Sequence, residues 1–227
     1  MDQILNLYNE LLEKSKPSLG QTHGIQILHK GNNVDDNSIL FVGRENRGHG
    51  NRITNFDKPI NNFITNDFKW LNDSYKYTGS PFWRVIGKSL NKITGELYNV
   101  GIFEKIYWTN IFKISPHERK PNNNKTRLFQ ASFCRKLLLE EIIYLKPKAV
   151  VFLTDDWVRS YLDNWEQKGM ISKIESNNKL NYYNLQFQFV LDEKNIPALV
   201  LPHPQNKSSG ASEQELIDHI AKRVNGK

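Results

Sequence analysis

A carboxylate and an imidazole, far apart in the chain, each follow an apolar run that breaks into a turn. The run Ile39-Leu40-Phe41-Val42 breaks at Gly43-Arg44-Glu45-Asn46, and Ala198-Leu199-Val200-Leu201 breaks at Pro202-His203-Pro204. Each reads as a buried strand that ends by presenting polar groups. Ligands of open α/β sheets bind beyond the carboxyl ends of the strands. A carboxylate and an imidazole facing one pocket there suit the breaking of a bond whose leaving group departs as an anion.

The elements that must hold these groups follow from apolar spacing. Residues 3–14 have helical spacing (Ile4, Leu5, Leu7, Tyr8, Leu11, Leu12), with Pro17 and Gly20 expected to end the helix. Residues 31–37 read as a turn, 38–42 as the first buried strand and 44–55 as a basic loop. A helix over 82–90 is entered after Gly79-Ser80-Pro81, with proline near its first turn. A second strand is expected over 105–109, a polar loop over 115–125 and a long helix over 127–145. Leu128, Phe133, Leu137, Ile142 and Leu145 form the apolar stripe of that helix. A third strand follows at 148–153, a helix at 156–165, an antiparallel excursion at 171–174 and 182–191, and a fourth central strand at 198–201. Ser212 and Glu215 form a capping box before a final helix. Alternation of strands and helices predicts the α/β class: a three-layer α/β/α sandwich around a mostly parallel sheet of about four strands. The whole chain, 1–227, is expected to be one domain, with residues 1–30 as a helical N-terminal extension.

Composition narrows the partners. A hydrophobic share of 38% supports a real core rather than a disordered chain. The single cysteine, Cys134, excludes an intrachain disulfide, a four-cysteine zinc site and an iron–sulfur cluster held by this chain alone. Its expected place is a buried helix position. No stretch approaches the ~20 apolar residues of a membrane helix, and the N-terminus lacks the pattern of a secretory signal. The expectation is a soluble monomer of the cytoplasm or nucleoid, with no membrane partner. Lysine and arginine outnumber aspartate and glutamate, 31 to 24, for a net charge of +7, which favours polyanions.

Four segments, in order, make the chain similar to the uracil-DNA glycosylase superfamily. They are Phe41-Val42-Gly43-Arg44-Glu45-Asn46, Pro81-Phe82-Trp83, Ile106-Tyr107-Trp108-Thr109-Asn110-Ile111-Phe112-Lys113, and His203-Pro204. The resemblance covers most of the chain from residue 38 onward. It implies a metal-free, cofactor-free hydrolase of the N-glycosidic bond between a flipped base and its sugar in DNA, leaving an abasic site. It places Glu45 as the group that orients water and His203 as the donor that stabilises the departing base, so these are the catalytic candidates. Asn110 would read the base edge and Phe82 would stack on it, with Gly43, Arg44 and Asn46 as further substrate-binding positions. Arg47, Lys113, Lys207 and Ser208 are the DNA-binding candidates. Arg44, Arg47, His49 and Arg52 crowd one loop, and Lys113, Arg119, Lys120, Lys125 and Arg127 crowd another, as phosphate contacts would.

Structural readings stand beside these. Glu45 pairs with Arg44 or Arg47 as a loop acid, Asn110 caps a turn, and Phe82 and Trp83 are ordinary core. Asn46 is the alternative water-orienting group. The chain also departs from the family pattern. Asn46 stands where a proline is usual, Glu45 is longer than the usual Asp or Asn, and Lys207 stands near the position of the apolar wedge. The missing apolar wedge speaks against extruding uracil from intact duplex and leaves open single-stranded DNA, an already weakened pair or a different modified base such as a substituted cytosine. The alternatives to a glycosylase are a non-hydrolytic nucleic-acid-binding protein of the same fold and a hydrolase of free nucleotides.

Overall fold

The apolar runs become adjacent strands in a computed structural model of the chain. It describes residues 2–19, 23–45, 79–116, 124–176, 182–192, 194–205 and 211–226. These residues fall into two compact units. One draws on positions 30–43, 66–107 and 146–227; the other draws on 1–29, 44–65 and 108–145.

The first unit is built on a sheet. Its centre is β3 (Ile39–Gly43), β6 (Ala149–Leu153) and β9 (Asn195–Leu201), paired in parallel in that order. Every residue of β3 and β6 is buried. Parallel strands covered on both faces require such continuous apolar runs. Beyond β9 lie β8 (Leu185–Val190) and β7 (Glu175–Ser176), both antiparallel to their neighbours. In β8 the buried residues alternate with more exposed ones, as in a strand covered on one face. The sheet order continues past β3 with β4 (Ile106–Asn110) and then β2 (His29–Lys30), seven strands in all, of which Ile106, Tyr107 and Lys30 are the β4 and β2 residues of this unit. The sequence reading of about four strands is therefore too low. The additional strands are two residues long or half-exposed and alternating, and such pieces carry no continuous apolar run. The α/β class with a mostly parallel centre holds.

Helices α2 (Pro81–Thr94), α4 (Arg159–Gln167) and α5 (Glu213–Val224) belong to this unit. Pro81 opens α2, where its missing N–H costs nothing, and Gly95 ends it at φ 76°. The expected capping box is present: Ser212 Oγ accepts from Glu215 N at 3.2 Å, and Ser212 N donates to Glu215 Oε2 at 2.7 Å. Ion pairs Arg84–Glu213 and Lys92–Asp218 tie α5 to α2. The excursion appears as an Ile171–Phe189 antiparallel bridge followed by β7 and β8.

The second unit holds α1 (Asp2–Leu19), α3 (Asn124–Leu145) and a two-stranded antiparallel pair, β1 (His23–Ile25) with β5 (Ile114–Pro116). Helix α1 runs through Pro17 rather than stopping before it. In the last turn, one absent N–H removes a single helical bond. The buried face of α3 also differs from the expected stripe. Leu128 is 78% exposed, whereas Thr126, Gln130, Cys134 and Glu141 face the interior with Leu137, Leu138 and Ile142. Gln130 is held there by bonding both the N–H and the C=O of Ile114, at 2.8 and 3.0 Å. A polar residue with remote partners outweighs an apolar one without them. Cys134 is buried as expected, and burial pushes its thiol up to about 12.

His29 gives the second unit a pH signature. It is buried, its ring 4.8 Å from that of Trp108, and burial alone lowers its pKa to about 4. Between pH ~6.5 and ~4 the unfolded chain holds a proton on this ring and the native protein does not, so stability falls as pH drops. The expected loss across that window is on the order of 3 kcal/mol, since each pH unit between the two values is worth about 1.4 kcal/mol. Urea denaturation at pH 7 and pH 4.5 checks it. His29→Gln should lose less over the same interval, and an equal loss in both proteins would remove His29 as the cause.

Candidate active site

In the sheet unit, two of the sequence motifs end strands that both pair with β6. Val42 pairs with Phe152 and Leu201 with Leu153, so β3 and β9 flank β6 with their carboxyl ends in register. Two strand spacings put these ends about 10 Å apart. The ladder closes with Thr154 N donating to Leu201 O at 3.1 Å. Pro202 follows, and a residue without an N–H cannot extend the ladder.

His203 thus leaves the sheet at the edge where ligands of such folds bind. It is half-buried, and its Nδ1 accepts from Gln205 N at 3.3 Å. In a neutral imidazole that bond leaves the proton on Nε2, making that nitrogen a donor. The ring stacks on Phe82 with centroids 5.7 Å apart and 19° between planes. Phe82 sits in the first turn of α2, is buried, and meets Trp83 edge-on at 5.1 Å. One face of the Phe82 ring is therefore on His203.

The second unit holds Arg44, Glu45 and Asn110, the last at the end of β4. The Arg44 carbonyl accepts from Phe112 N at 3.0 Å. The Glu45 side chain is only 4% exposed and meets Arg127 of α3 twice: Oε1 to Nη2 at 3.1 Å and Oε2 to Nε at 3.3 Å. A planar guanidinium gripping both carboxylate oxygens fixes the rotamer of the acid. The sequence reading looked for this partner in Arg44 or Arg47, because it weighed only neighbours in the chain. Asn110 is buried, and its Nδ2 donates to Gln26 Oε1 at 2.6 Å. Gln26 carried no signal in the sequence, since a single glutamine before an apolar pair has no pattern.

Lys113 requires a correction. Read from its loop position, it belonged with the phosphate-binding cations. Its side chain is fully buried and donates to both oxygens of Glu141, at 3.0 and 2.8 Å, and to Thr109 Oγ1. Tyr8 donates to the same carboxylate at 2.5 Å, and Leu28 N donates to the Tyr8 hydroxyl at 2.9 Å. Burial first, then the Glu141 charge, pushes the Tyr8 phenol well above its ordinary value. The ammonium is consumed by the interior and does not serve the surface. Asn46, Arg47, Lys207 and Ser208 lie outside the described residues, as do His49, Arg52, Arg119 and Lys120. Among the described residues no group of three or more His, Cys, Asp or Glu side chains is placed to hold a metal ion, and no helix is long and apolar enough to cross a membrane.

A model of the uracil DNA glycosylase superfamily matches residues 57–224. The matched stretch contains Phe82, Asn110 and His203 and begins after Glu45. No curated protein matches the chain. Most of the chain is covered by the family model, and the α/β sheet with its mostly parallel centre is consistent with that fold. The chain belongs to the uracil DNA glycosylase superfamily, and its function at that level is of the DNA glycosylase type.

Proposed function

We propose that the protein is a DNA glycosylase that hydrolyses the N-glycosidic bond of a flipped, damaged or modified base and leaves an abasic site. The observation that carries this reading is His203. It stands at the strand edge, held against Phe82, with Nδ1 engaged by a backbone N–H so that Nε2 carries the proton as a donor. Cleavage leaves the base as an anion, and a donor aimed at its carbonyl oxygen lowers that barrier. Glu45, fixed by Arg127, would orient the attacking water at the oxocarbenium-like sugar. Asn110 would bond the base edge. Phe82 would hold the imidazole plane, with only its second face left for a base. The substrate would be a uracil-type base or a modified cytosine, and the +7 charge would supply attraction for DNA.

The test uses end-labelled oligonucleotides, each bearing one candidate base: uracil, hypoxanthine, an oxidised base or a substituted cytosine. Each is presented single- and double-stranded and treated with alkali to reveal abasic sites. Wild type is expected to cut one class of base, and His203→Ala to cut it about 10²–10³-fold more slowly, the usual cost of one oxyanion donor. Equal rates in the two proteins would remove His203 from the chemistry.

One observation favours a second reading, a nucleic-acid-binding protein without hydrolysis. Both Glu45 oxygens already rest on Arg127. Binding that weakens steeply with salt, with no product from any base in the panel, would establish that reading.

A further inference from the structure

Gln26 sits where an amide is expensive. It is 1% exposed, and Ile25, Ile27 and Leu28 beside it are all buried. Its backbone is pinned, with Gln26 N donating to Lys113 O at 2.7 Å just beyond the Ile25–Ile114 pair. Its side-chain oxygen accepts from Asn110 Nδ2. Its Nε2 is buried and has no hydrogen-bond partner among the described residues. Two N–H groups held from water without an acceptor are destabilising, and native interiors rarely tolerate them without a use. An apolar residue would remove the orphan donor, but it would strand the Asn110 N–H that Gln26 accepts. The orphan donor lies on the side chain that already grips Asn110, which is 2% exposed.

We propose that Gln26 and Asn110 form a paired-amide reader of a nucleobase edge, with Gln26 as a specificity-determining residue. The proposal rests on the reading of Asn110 as the group that bonds the base. Gln26 acts twice. Its Oε1 holds one N–H of Asn110, so the Asn110 amide cannot exchange the places of its oxygen and nitrogen. Asn110 then keeps Oδ1 as an acceptor and one N–H as a donor. The Gln26 Nε2 adds a second donor, which a carbonyl oxygen or an unprotonated ring nitrogen of the base would accept. The ligand class is therefore a base with an acceptor-rich edge, beyond what a single asparagine amide would satisfy.

The test is the ratio of two dissociation constants. One is for a single-stranded oligonucleotide bearing uracil or a substituted cytosine, and the other is for the same oligonucleotide with an abasic-site analogue. Both are measured by fluorescence anisotropy across pH 5–8. Wild type is expected to prefer the base-bearing strand at every pH. Gln26→Met, which keeps the length and removes both polar atoms, should cut that preference about tenfold, the effect of one buried hydrogen bond lost and one left unmet. Gln26→Glu supplies an O–H donor only when protonated, so its preference should be weak at pH 8 and recover toward pH 5. A merely structural glutamine would show no such pH profile. Unchanged preference in both variants would overturn the proposal, as would a wild type that does not distinguish base from abasic site. The oligonucleotide cleavage panel fails independently: no cleavage with preference intact would sink the glycosylase reading and leave the paired-amide reader standing.

Discussion

Base excision by Glu45→Gln is expected to be about 10²–10⁴-fold slower than by wild type, the range for losing a positioned general base. The substitution keeps the shape and removes the charge that would orient water. Its native environment makes it informative. The carboxylate is almost fully buried at the side-chain level and held at both oxygens by Arg127. Glutamine can keep one of those contacts by its carbonyl oxygen but cannot accept at both positions. Part of any change could therefore come from a disturbed Arg127, and Arg127→Met separates the effects. If Glu45 works on water, Glu45→Gln lowers kcat strongly, while Arg127→Met lowers it less because the carboxylate remains. Single-turnover rates on the preferred base would decide. A Glu45→Gln rate within about threefold of wild type would end the catalytic assignment and leave the ion pair as architecture.

Lys113→Met is expected to lower stability by about 3–5 kcal/mol, the cost of stranding one member of a buried ion pair. The stranded group is Glu141, whose carboxylate would keep the Tyr8 hydroxyl as a donor. The paired change Lys113→Met with Glu141→Leu should recover most of the loss, because apolar replacement of a whole buried pair is often close to neutral. Urea denaturation of wild type, both single variants and the double variant measures the coupling directly. Singles within about 1 kcal/mol of wild type would mean that the network contributes little. Because the ammonium is buried, the double variant should also leave the salt dependence of DNA binding unchanged, whereas losing a phosphate contact would flatten it.

These two residues show where local pattern suffices and where it does not. Residues 38–42, 148–153 and 198–201 could be read as buried strands because a strand covered on both faces is apolar along most of its length. The final helix was legible because a capping box is satisfied within four residues. His203 between two prolines at the end of such a strand was legible for the same reason: the sequence itself stops the ladder. Strands β2 and β7 escaped notice because two residues cannot display a period. The face of α3 was misread because Gln130 and Glu141 look solvated by type, and their partners lie 16 and 28 positions away.

The amino-acid sequence by itself determined the α/β class, the order of the central strands and helices, the ends at which polar groups emerge, and the family. The first three follow from burial periodicity and turn chemistry acting over a few residues, and the family from the order of the four motifs and the match to the family model. Only the tertiary structure decided which charged and amide groups face inward: Lys113 to Glu141 instead of phosphate, Glu45 to Arg127 instead of Arg44 or Arg47, and Asn110 to Gln26. The reason is energetic. Burying such a group is unfavourable until a partner arrives, and the partner comes from a distant part of the chain that only folding brings near.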